Sequence, residues 1–282
     1  MTVVERPRSL AEALELRGRY ADAVPIAGGT DLMAAASRGQ RPTRMIDLTG
    51  VPELLDWERR DGAVRLGAGV PYTRLIAELS GQLPGLAHAA RIVGSPQIRN
   101  RGTVGGNLVT ASPAGDALPP LVAVDAVVEV AAQRGRRTIA IGDFLLGAGR
   151  TSLAPDELVV AVEIPVARGP QVFSKIGGRG AMVTGVASFA LDLDPSGRVG
   201  AAIGSAGPAV LRASEAEAFL AGALAAGAVD DAVAARFGEL CAAAARPVDD
   251  LRGSAAYRRH AIAVLARRAV VWAMAEIDEA DL

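Results

Sequence analysis

The fold of this chain is decided by the stretch Ala27-Gly28-Gly29-Thr30-Asp31, which has a counterpart in Thr103-Val104-Gly105-Gly106-Asn107. Each glycine pair follows an apolar or β-branched stretch and precedes a polar residue suited to capping or hydrogen bonding. Glycines let backbone N–H groups approach an anion closely, and a helix N-terminus adds the positive end of its dipole. Two such loops can hold a diphosphate from both sides, which predicts a dinucleotide site.

Two common nucleotide fingerprints are missing from the sequence. Gly67-Ala68-Gly69 runs on to Tyr72 and Gly147-Ala148-Gly149 runs on to Ser152, so neither completes GxGxxG, and GxxxxGK[ST] does not occur. Their absence disfavours a Rossmann or P-loop protein. We therefore favour a flavin as the dinucleotide.

Length and composition limit the possible functions. The chain has 282 residues, enough for two or three domains, with 50% hydrophobic residues, 22% charged residues and a net charge of −1. This charge balance gives no reason to expect binding to nucleic acid or to an anionic membrane. The N-terminal residues lack the apolar core of a signal peptide, and four arginines interrupt the apolar tract from Ala255 to Ile277. We expect a cytoplasmic protein with no membrane insertion.

Few residues are suited to metal binding or nucleophilic catalysis. Cys241 is the only cysteine, and His88 and His260 are the only histidines. They cannot form a disulfide, an iron–sulfur cluster or a structural zinc site within the chain, and no triad for hydrolysis is indicated. If the protein handles electrons, an organic cofactor carries them here and metal centres lie on other chains.

Hydrophobic periodicity and turn residues predict two α/β units followed by a region of antiparallel strands and helices. Ser9 and Glu12 form a capping-box signature, and Gly18 marks the predicted end of the first helix. A domain boundary is predicted near 167–170. The predicted helices cover 9–17, 31–38, 72–79, 83–93, 116–124, 213–221, 229–244 and 254–277, and the predicted strands cover 24–27, 45–48, 64–69, 126–131, 137–141, 158–164, 171–176, 184–193 and 198–206.

The sequence motifs on either side of the second glycine pair indicate a known family. Ile98-Arg99-Asn100-Arg101-Gly102 leads into it and Ala111-Ser112-Pro113-Ala114-Gly115-Asp116 follows it. With these motifs the chain resembles the FAD-binding medium subunit of the xanthine dehydrogenase and carbon monoxide dehydrogenase family of molybdenum hydroxylases. The resemblance runs from Ser9-Leu10-Ala11-Glu12-Ala13-Leu14 through Phe173-Ser174-Lys175 to Ser254-Ala255-Ala256-Tyr257-Arg258-Arg259.

The resemblance implies an α+β fold. A two-lobed FAD-binding domain of the PCMH type, similar to vanillyl-alcohol oxidase, would span residues 1–168, with lobes at about 1–53 and 54–168. A C-terminal domain over 169–282 would contain three antiparallel strands and a helical bundle. FAD would lie extended in the cleft between the lobes.

The resemblance also assigns cofactor-binding residues. Asp116 would contact the sugar region, although it is also suited to capping helix 116–124, and the Lys175 cation would stabilise the reduced flavin ring, although lysines on strands usually face solvent. Asp31 caps backbone amides or meets a sugar hydroxyl, since left unpaired it would repel a diphosphate. The roles of Arg99 and Arg101 stay open. The full predicted set is Ile26, Ala27, Gly28, Gly29, Thr30, Asp31, Leu32, Val93, Thr103, Val104, Gly105, Gly106, Asn107, Asp116, Val159 and Lys175.

The implied function is electron transfer within a complex. A large subunit with a molybdenum cofactor would hydroxylate the substrate, and two [2Fe–2S] clusters on a small subunit would pass electrons through FAD on this chain to an external acceptor. The assembly would be a dimer of heterotrimers. A single cysteine excludes the family branch that carries a [4Fe–4S] cluster on this subunit. The alternatives are a self-contained flavoenzyme of the vanillyl-alcohol-oxidase or enolpyruvyl-reductase type and a nucleotide-binding module without redox function.

Overall fold

Three main sheets, which follow one another along the chain, organise the fold. The computed structural model describes residues 2–180 and 182–280. The first sheet is parallel and has three strands in the order β1-β3-β2. It is formed by β1 (Val3–Glu5), β2 (Val24–Ile26) and β3 (Arg44–Asp47), and it carries the helices α1 (Leu10–Arg19) and α2 (Thr30–Ser37).

Helix α1 begins where the capping residues predict it. The Ser9 Oγ accepts a hydrogen bond from the Glu12 N–H at 3.2 Å, while the Glu12 carboxylate accepts from the Arg8 N–H at 2.7 Å. The second bond goes to the residue before the cap, so the capping box is only half formed. The expected stop at Gly18 is wrong, because the helix continues to Arg19 and ends on Tyr20, whose N–H bonds the Leu16 carbonyl.

The second sheet is antiparallel, and its central strand is the last of its five strands along the chain. Its order is β4-β5-β10-β6-β7, and the register shifts at Val159 and Ala161, as in a β-bulge. Its strands are β4 (Trp57–Arg60), β5 (Ala63–Gly67), β6 (Val127–Ala132), β7 (Gly135–Ala140) and β10 (Leu158–Pro165). The ribbon β8 (Leu145–Gly147) and β9 (Arg150–Thr151) joins β7 to β10, and the helices are α3 (Tyr72–Leu79), α4 (Pro84–Arg91), α5 (Pro96–Arg99), α6 (Val104–Thr110), α7 (Leu118–Ala123) and α8 (Ile141–Phe144).

The third sheet lies between two helical layers. Its strands β11 (Gln171–Ile176), β12 (Ala187–Leu193), β13 (Val199–Gly204) and β14 (Leu211–Arg212) pair antiparallel in that order. One face packs on α9 (Ser214–Ala225), α10 (Asp231–Ala244) and α11 (Ala255–Ala280), and the other on α4 and α7. Strands β12 and β13 are therefore buried on both faces. The prediction of three strands omitted the two-residue β14, so the sheet has four.

The hydrophobic cores join neighbouring parts of the chain. Leu10, Ile46 and Leu54 pack with Leu158 and Val160 of the second sheet. Likewise Phe173 and Ala190 of the third sheet belong to the core beneath α3, α4 and α7. Burial of this apolar area holds the three parts together, at roughly 25 cal/mol per Å². Among the described helices, none combines the length and the apolar composition needed to cross a bilayer.

Candidate cofactor-binding cleft

A cleft of about 710 Å³ opens between the first and second sheets. Ligand pockets usually measure about 300–1,000 Å³, so the cleft has the size of a cofactor site. Both glycine loops line it, and Met182, Val183 and Thr184 border it from the segment after β11. The two sequence motifs, 75 residues apart from Gly28 to Thr103, thus meet in one cavity.

The first loop turns β2 into α2 and leaves the start of the helix open. Gly29 has φ +73°, in the left-handed region that favours glycine, and it precedes the helix without any side-chain cap. Within residues 2–180 and 182–280, no acceptor is present for the N–H groups of Thr30, Asp31 and Leu32. The expectation that Asp31 caps this helix is therefore wrong, and its exposed carboxylate lines the cleft. Free amides and the helix dipole together suit an anionic ligand.

In the second loop, one backbone N–H group at the start of α6 is hydrogen-bonded by the threonine of the loop itself. The Thr103 Oγ1 accepts a hydrogen bond from the Gly106 N–H at 2.9 Å, so Thr103 caps α6 and its hydroxyl hydrogen remains available to a ligand. A Cβ on Gly105 would lie 2.5 Å from the Ala68 carbonyl oxygen, so packing demands glycine there. A Cβ on Gly106 would meet only the Thr103 Oγ1, at 3.2 Å. Glycine at this position keeps the cleft open.

The two loops also touch each other. A Cβ on Gly28 would lie 2.0 Å from the Arg101 carbonyl oxygen and 3.0 Å from the Gly102 Cα. No side chain fits at that separation, so Gly28 lets the first loop rest directly on the segment that leads into the second. This contact sets the spacing between the two halves of the cleft.

Two buried polar atoms in the cleft wall fit a polar ligand. The Tyr72 hydroxyl and the Asn107 Oδ1 both lack a hydrogen-bond partner in the part of the chain that the structure describes. An unpaired buried polar group costs about 1–3 kcal/mol, so such groups usually mark a partner that binds there. The loop N–H groups and the Tyr72 hydroxyl suit the phosphate, sugar and ring acceptors of a dinucleotide, and the Asn107 Oδ1 suits one of its hydroxyl or N–H donors.

A buried ion pair closes the wall beside the third sheet. Lys175 on β11 donates to Asp116 Oδ2 at 2.7 Å, and the two side chains are only 5% and 12% exposed. The same Nζ also donates to the carbonyls of Ile92, at 3.1 Å, and Val183, at 3.3 Å. Burial raises the pKa of Asp116 above its usual value, against the lowering by Lys175. Lys175 is the only lysine of the chain, and the pair binds the third sheet to the cleft.

Comparison with known proteins identifies the family. A family model described as the FAD binding domain in molybdopterin dehydrogenase matches residues 1–167. The chain belongs to this family. A second model, for the CO dehydrogenase flavoprotein C-terminal domain, matches residues 176–273 of the same chain. The predicted family, FAD cofactor and oxidoreductase class are thereby confirmed.

Relatives resemble this FAD-binding chain over nearly its whole length. It is 34% identical over 272 residues to the nicotine 6-hydroxylase medium subunit of Paenarthrobacter nicotinovorans, covering 94% of each chain. It is 33% identical over 275 residues to the carbon monoxide dehydrogenase medium chain of Afipia carboxidovorans, again covering 94% of each. It superimposes with a TM-score of 0.90 and 30% identity, covering 98% of each chain, on a chain of carbon monoxide dehydrogenase from Hydrogenophaga pseudoflava, an enzyme that lacks the Mo-pyranopterin moiety of its cofactor in that structure.

The FAD-site residues predicted from sequence converge on the cleft with two exceptions. The Val104 side chain, within the second loop, is buried in the core, and Lys175 lies behind Asp116, whereas all other members of the predicted set line the cavity. Asp116 does not cap the predicted helix 116–124, because α7 begins at Leu118 after Ala117 and has no side-chain cap. Direct contact of each residue with FAD stays a prediction.

The two arginines whose roles were open do not line the cleft. Arg99 donates to the carbonyls of Val93 at 3.0 Å and Gly94 at 3.3 Å, and so ties α5 to the loop before it. Arg101 is exposed, and its backbone supports Gly28. Arg99 thus supports the cleft through its side chain, whereas Arg101 contributes the backbone carbonyl on which Gly28 packs.

Sequence reasoning missed several residues that line the cleft. The predicted set omits Tyr72, Arg17 and Glu157, yet all three line the cavity. The Arg137 Nε donates a hydrogen bond to Glu157 Oε1 at 2.8 Å, and this pairing lowers the pKa of the carboxyl to about 2. No local motif marks these residues, because long-range packing brings them to the cleft.

Proposed function

We propose that this chain is the FAD-carrying electron-transfer subunit of a molybdenum-containing hydroxylase and that FAD lies extended in the cleft. The diphosphate lies between the two glycine loops, within reach of the N–H groups of Thr30, Asp31 and Leu32 and of the Thr103 hydroxyl. The observation that carries this assignment is the convergence of both loops, with open amides on α2, at one cavity. We infer the predicted domain division, 1–168 and 169–282, from the two family models, which match residues 1–167 and 176–273.

The chain contributes position and electrostatics to this function. Bound FAD supplies the capacity to accept and release electrons. The N-terminus of α2 offsets part of the diphosphate charge, and the contact of Gly28 with Arg101 fixes the width of the cleft. The Lys175–Asp116 pair places a neutral, hydrogen-bonded unit against the wall, so that no uncompensated charge lies there.

Metal centres belong to other subunits under this proposal. Among the described residues, no group of His, Cys, Asp and Glu could hold a metal ion, and the thiol of Cys241 is buried with its pKa raised by burial. The relatives are called medium subunit and medium chain, which implies larger and smaller partners. We infer a large subunit with the molybdenum cofactor, a small subunit with two [2Fe–2S] clusters, a dimer of heterotrimers and a cytoplasmic location. Substrate and final electron acceptor are left open.

Selectivity for FAD over FMN tests the proposed site. Two anion-binding loops exceed what one phosphate requires, so the purified chain should bind FAD with a stoichiometry of one and FMN far more weakly. Gly106→Asp places a carboxylate beside the diphosphate, and repulsion at this distance should weaken FAD binding about 100-fold or more. Flavin fluorescence titration measures both affinities.

Gly222→Asp is the matched control. Gly222 also lies in a helix, and a Cβ there would meet nothing within 4 Å. The Gly222→Asp variant should bind FAD like the parent chain, and circular dichroism should show that both variants are folded. Equal FAD affinity in the folded Gly106→Asp variant would refute the two-loop site.

A further inference from the structure

The Tyr72 hydroxyl is a buried donor without a partner in the wall of the cleft. Tyr72 is 2% exposed, and its hydroxyl has no hydrogen-bond partner within residues 2–180 and 182–280. Native structures rarely leave a phenolic hydroxyl in this condition, because it loses water without gaining another acceptor. The group therefore marks a place where a ligand atom completes the structure.

The ring of Tyr72 packs beside the contact between the two glycine loops. Tyr72 is the first residue of α3, and its N–H donates to the Gly102 carbonyl at 3.0 Å. A Cβ on Gly102 would lie 3.3 Å from the ring carbons Cδ2 and Cε2, so the ring packs directly against the second loop. Gly102 also touches the first loop, since a Cβ on Gly28 would lie 3.0 Å from the Gly102 Cα.

Charge decides which ligand atoms suit this position. Burial, and then the carboxylates of Asp116 and Asp31, raise the pKa of Tyr72 well above its usual value, so the phenol stays a neutral donor at any physiological pH. Asp31 has no hydrogen-bond partner among the described residues, and an anionic ligand would meet its repulsion. A neutral O–H donor beside the loops compensates for this repulsion, whereas it would add little to a ligand without acceptors there.

We propose that Tyr72 is a diphosphate-binding residue of this chain, its hydroxyl donating a hydrogen bond to an oxygen of the FAD diphosphate. This inference rests on the proposed function. It adds a side-chain donor from α3 to the backbone donors of the two glycine loops. The contact forms only when the dinucleotide is bound, so the hydroxyl contributes to affinity and not to the stability of the chain without FAD.

Tyr72→Phe tests the assignment, with Tyr257→Phe as the matched control. Tyr257 is 48% exposed on α11 and lies outside the cleft lining. Tyr72→Phe should weaken FAD binding about 10- to 100-fold, as expected for a lost hydrogen bond to a charged acceptor. The FAD-free variant should melt at the same temperature as the parent chain or higher, since it no longer buries an unpaired hydroxyl. The ³¹P resonances of FAD bound at saturation should shift relative to the parent complex.

Three results would overturn the inference. Unchanged FAD affinity shows that the hydroxyl is not a ligand contact, and unchanged ³¹P resonances show that it contacts another part of FAD. A large loss of melting temperature in the FAD-free variant shows that the hydroxyl already bonds within the protein. Failure of the unmodified chain to bind FAD would instead refute the proposed function, so the two failures are distinguishable.

Discussion

Replacing Lys175 by methionine probes the ion pair that joins the third sheet to the cleft. Methionine keeps the length and apolar stem of the side chain but removes the ammonium group that donates to Asp116 and to the Ile92 and Val183 carbonyls. The Asp116 side chain is only 12% exposed, and in the variant its buried carboxylate would be left without a cation. Breaking a buried pair in this way costs about 3–5 kcal/mol. At about 2–4 °C per kcal/mol, the melting temperature should fall by roughly 6–20 °C.

The loss of stability in Lys175→Met should increase with pH. The folded-state pKa of Asp116 is already raised above 3.8 by burial, and Lys175 opposes that rise. Without the lysine the pKa rises further, and an acid with a raised folded-state pKa stabilises the fold at low pH and ceases to do so as pH rises through that pKa. The difference in unfolding free energy between Lys175→Met and the parent chain should therefore be largest near pH 8 and shrink towards pH 5.

Chemical denaturation of both FAD-free proteins at a series of pH values measures this difference. The double variant Lys175→Met/Asp116→Asn should regain much of the stability at pH 8, because no unpaired charge remains buried. With FAD bound, the single variant should also have a lower reduction potential, since the uncompensated carboxylate disfavours added negative charge. A pH-independent loss below 1 kcal/mol would refute the buried-pair reasoning.

Two further substitutions test the walls of the cleft. Glu157→Gln should lower the unfolding free energy by about 2–3 kcal/mol at pH 7, since pairing with Arg137 lowers the pKa of Glu157 from 4.5 to about 2. The gap to the parent chain should close as pH falls from 4.5 towards 2, where the parent loses this contribution; an equal gap at pH 3 and pH 7 would contradict it. Asp31→Asn should strengthen FAD binding several-fold by removing a charge beside the diphosphate; weaker binding in a fluorescence titration would instead favour a contact of Asp31 with a sugar hydroxyl.

Local features of the fold were readable from the sequence because their causes are local. The Ser9 cap, the turn at the first glycine pair and the strand at 171–176 depend on neighbouring residues, and the structure shows them within one or two positions. The first glycine loop follows the end of strand β2 as predicted, whereas the second follows helix α5, and only the family motifs that flank it identify it as part of the site. The predicted site set therefore falls largely on the cleft.

Features created by long-range packing were not readable. Strand β10 is inserted between β5 and β6, which brings Glu157 and Val159 to the cleft from a distant part of the chain. The Lys175–Asp116 pair joins residues 59 positions apart, so Lys175 could only be assigned a role by resemblance. Tyr72 gains its position from packing against Gly102, and nothing in its local sequence distinguishes it from a core tyrosine.

The central claim is that this chain relays electrons through FAD and does not itself oxidise the substrate of the complex. Anaerobic mixing of the isolated, FAD-loaded chain with purines, aldehydes, carbon monoxide and N-heterocycles tests it most directly, with flavin absorbance as the readout. We predict no bleaching by any of these compounds, bleaching by dithionite as the positive control, and bleaching by the substrate once the iron–sulfur and molybdenum subunits are added. Stoichiometric bleaching by any substrate in the absence of partners would contradict the relay and identify a self-contained flavoenzyme.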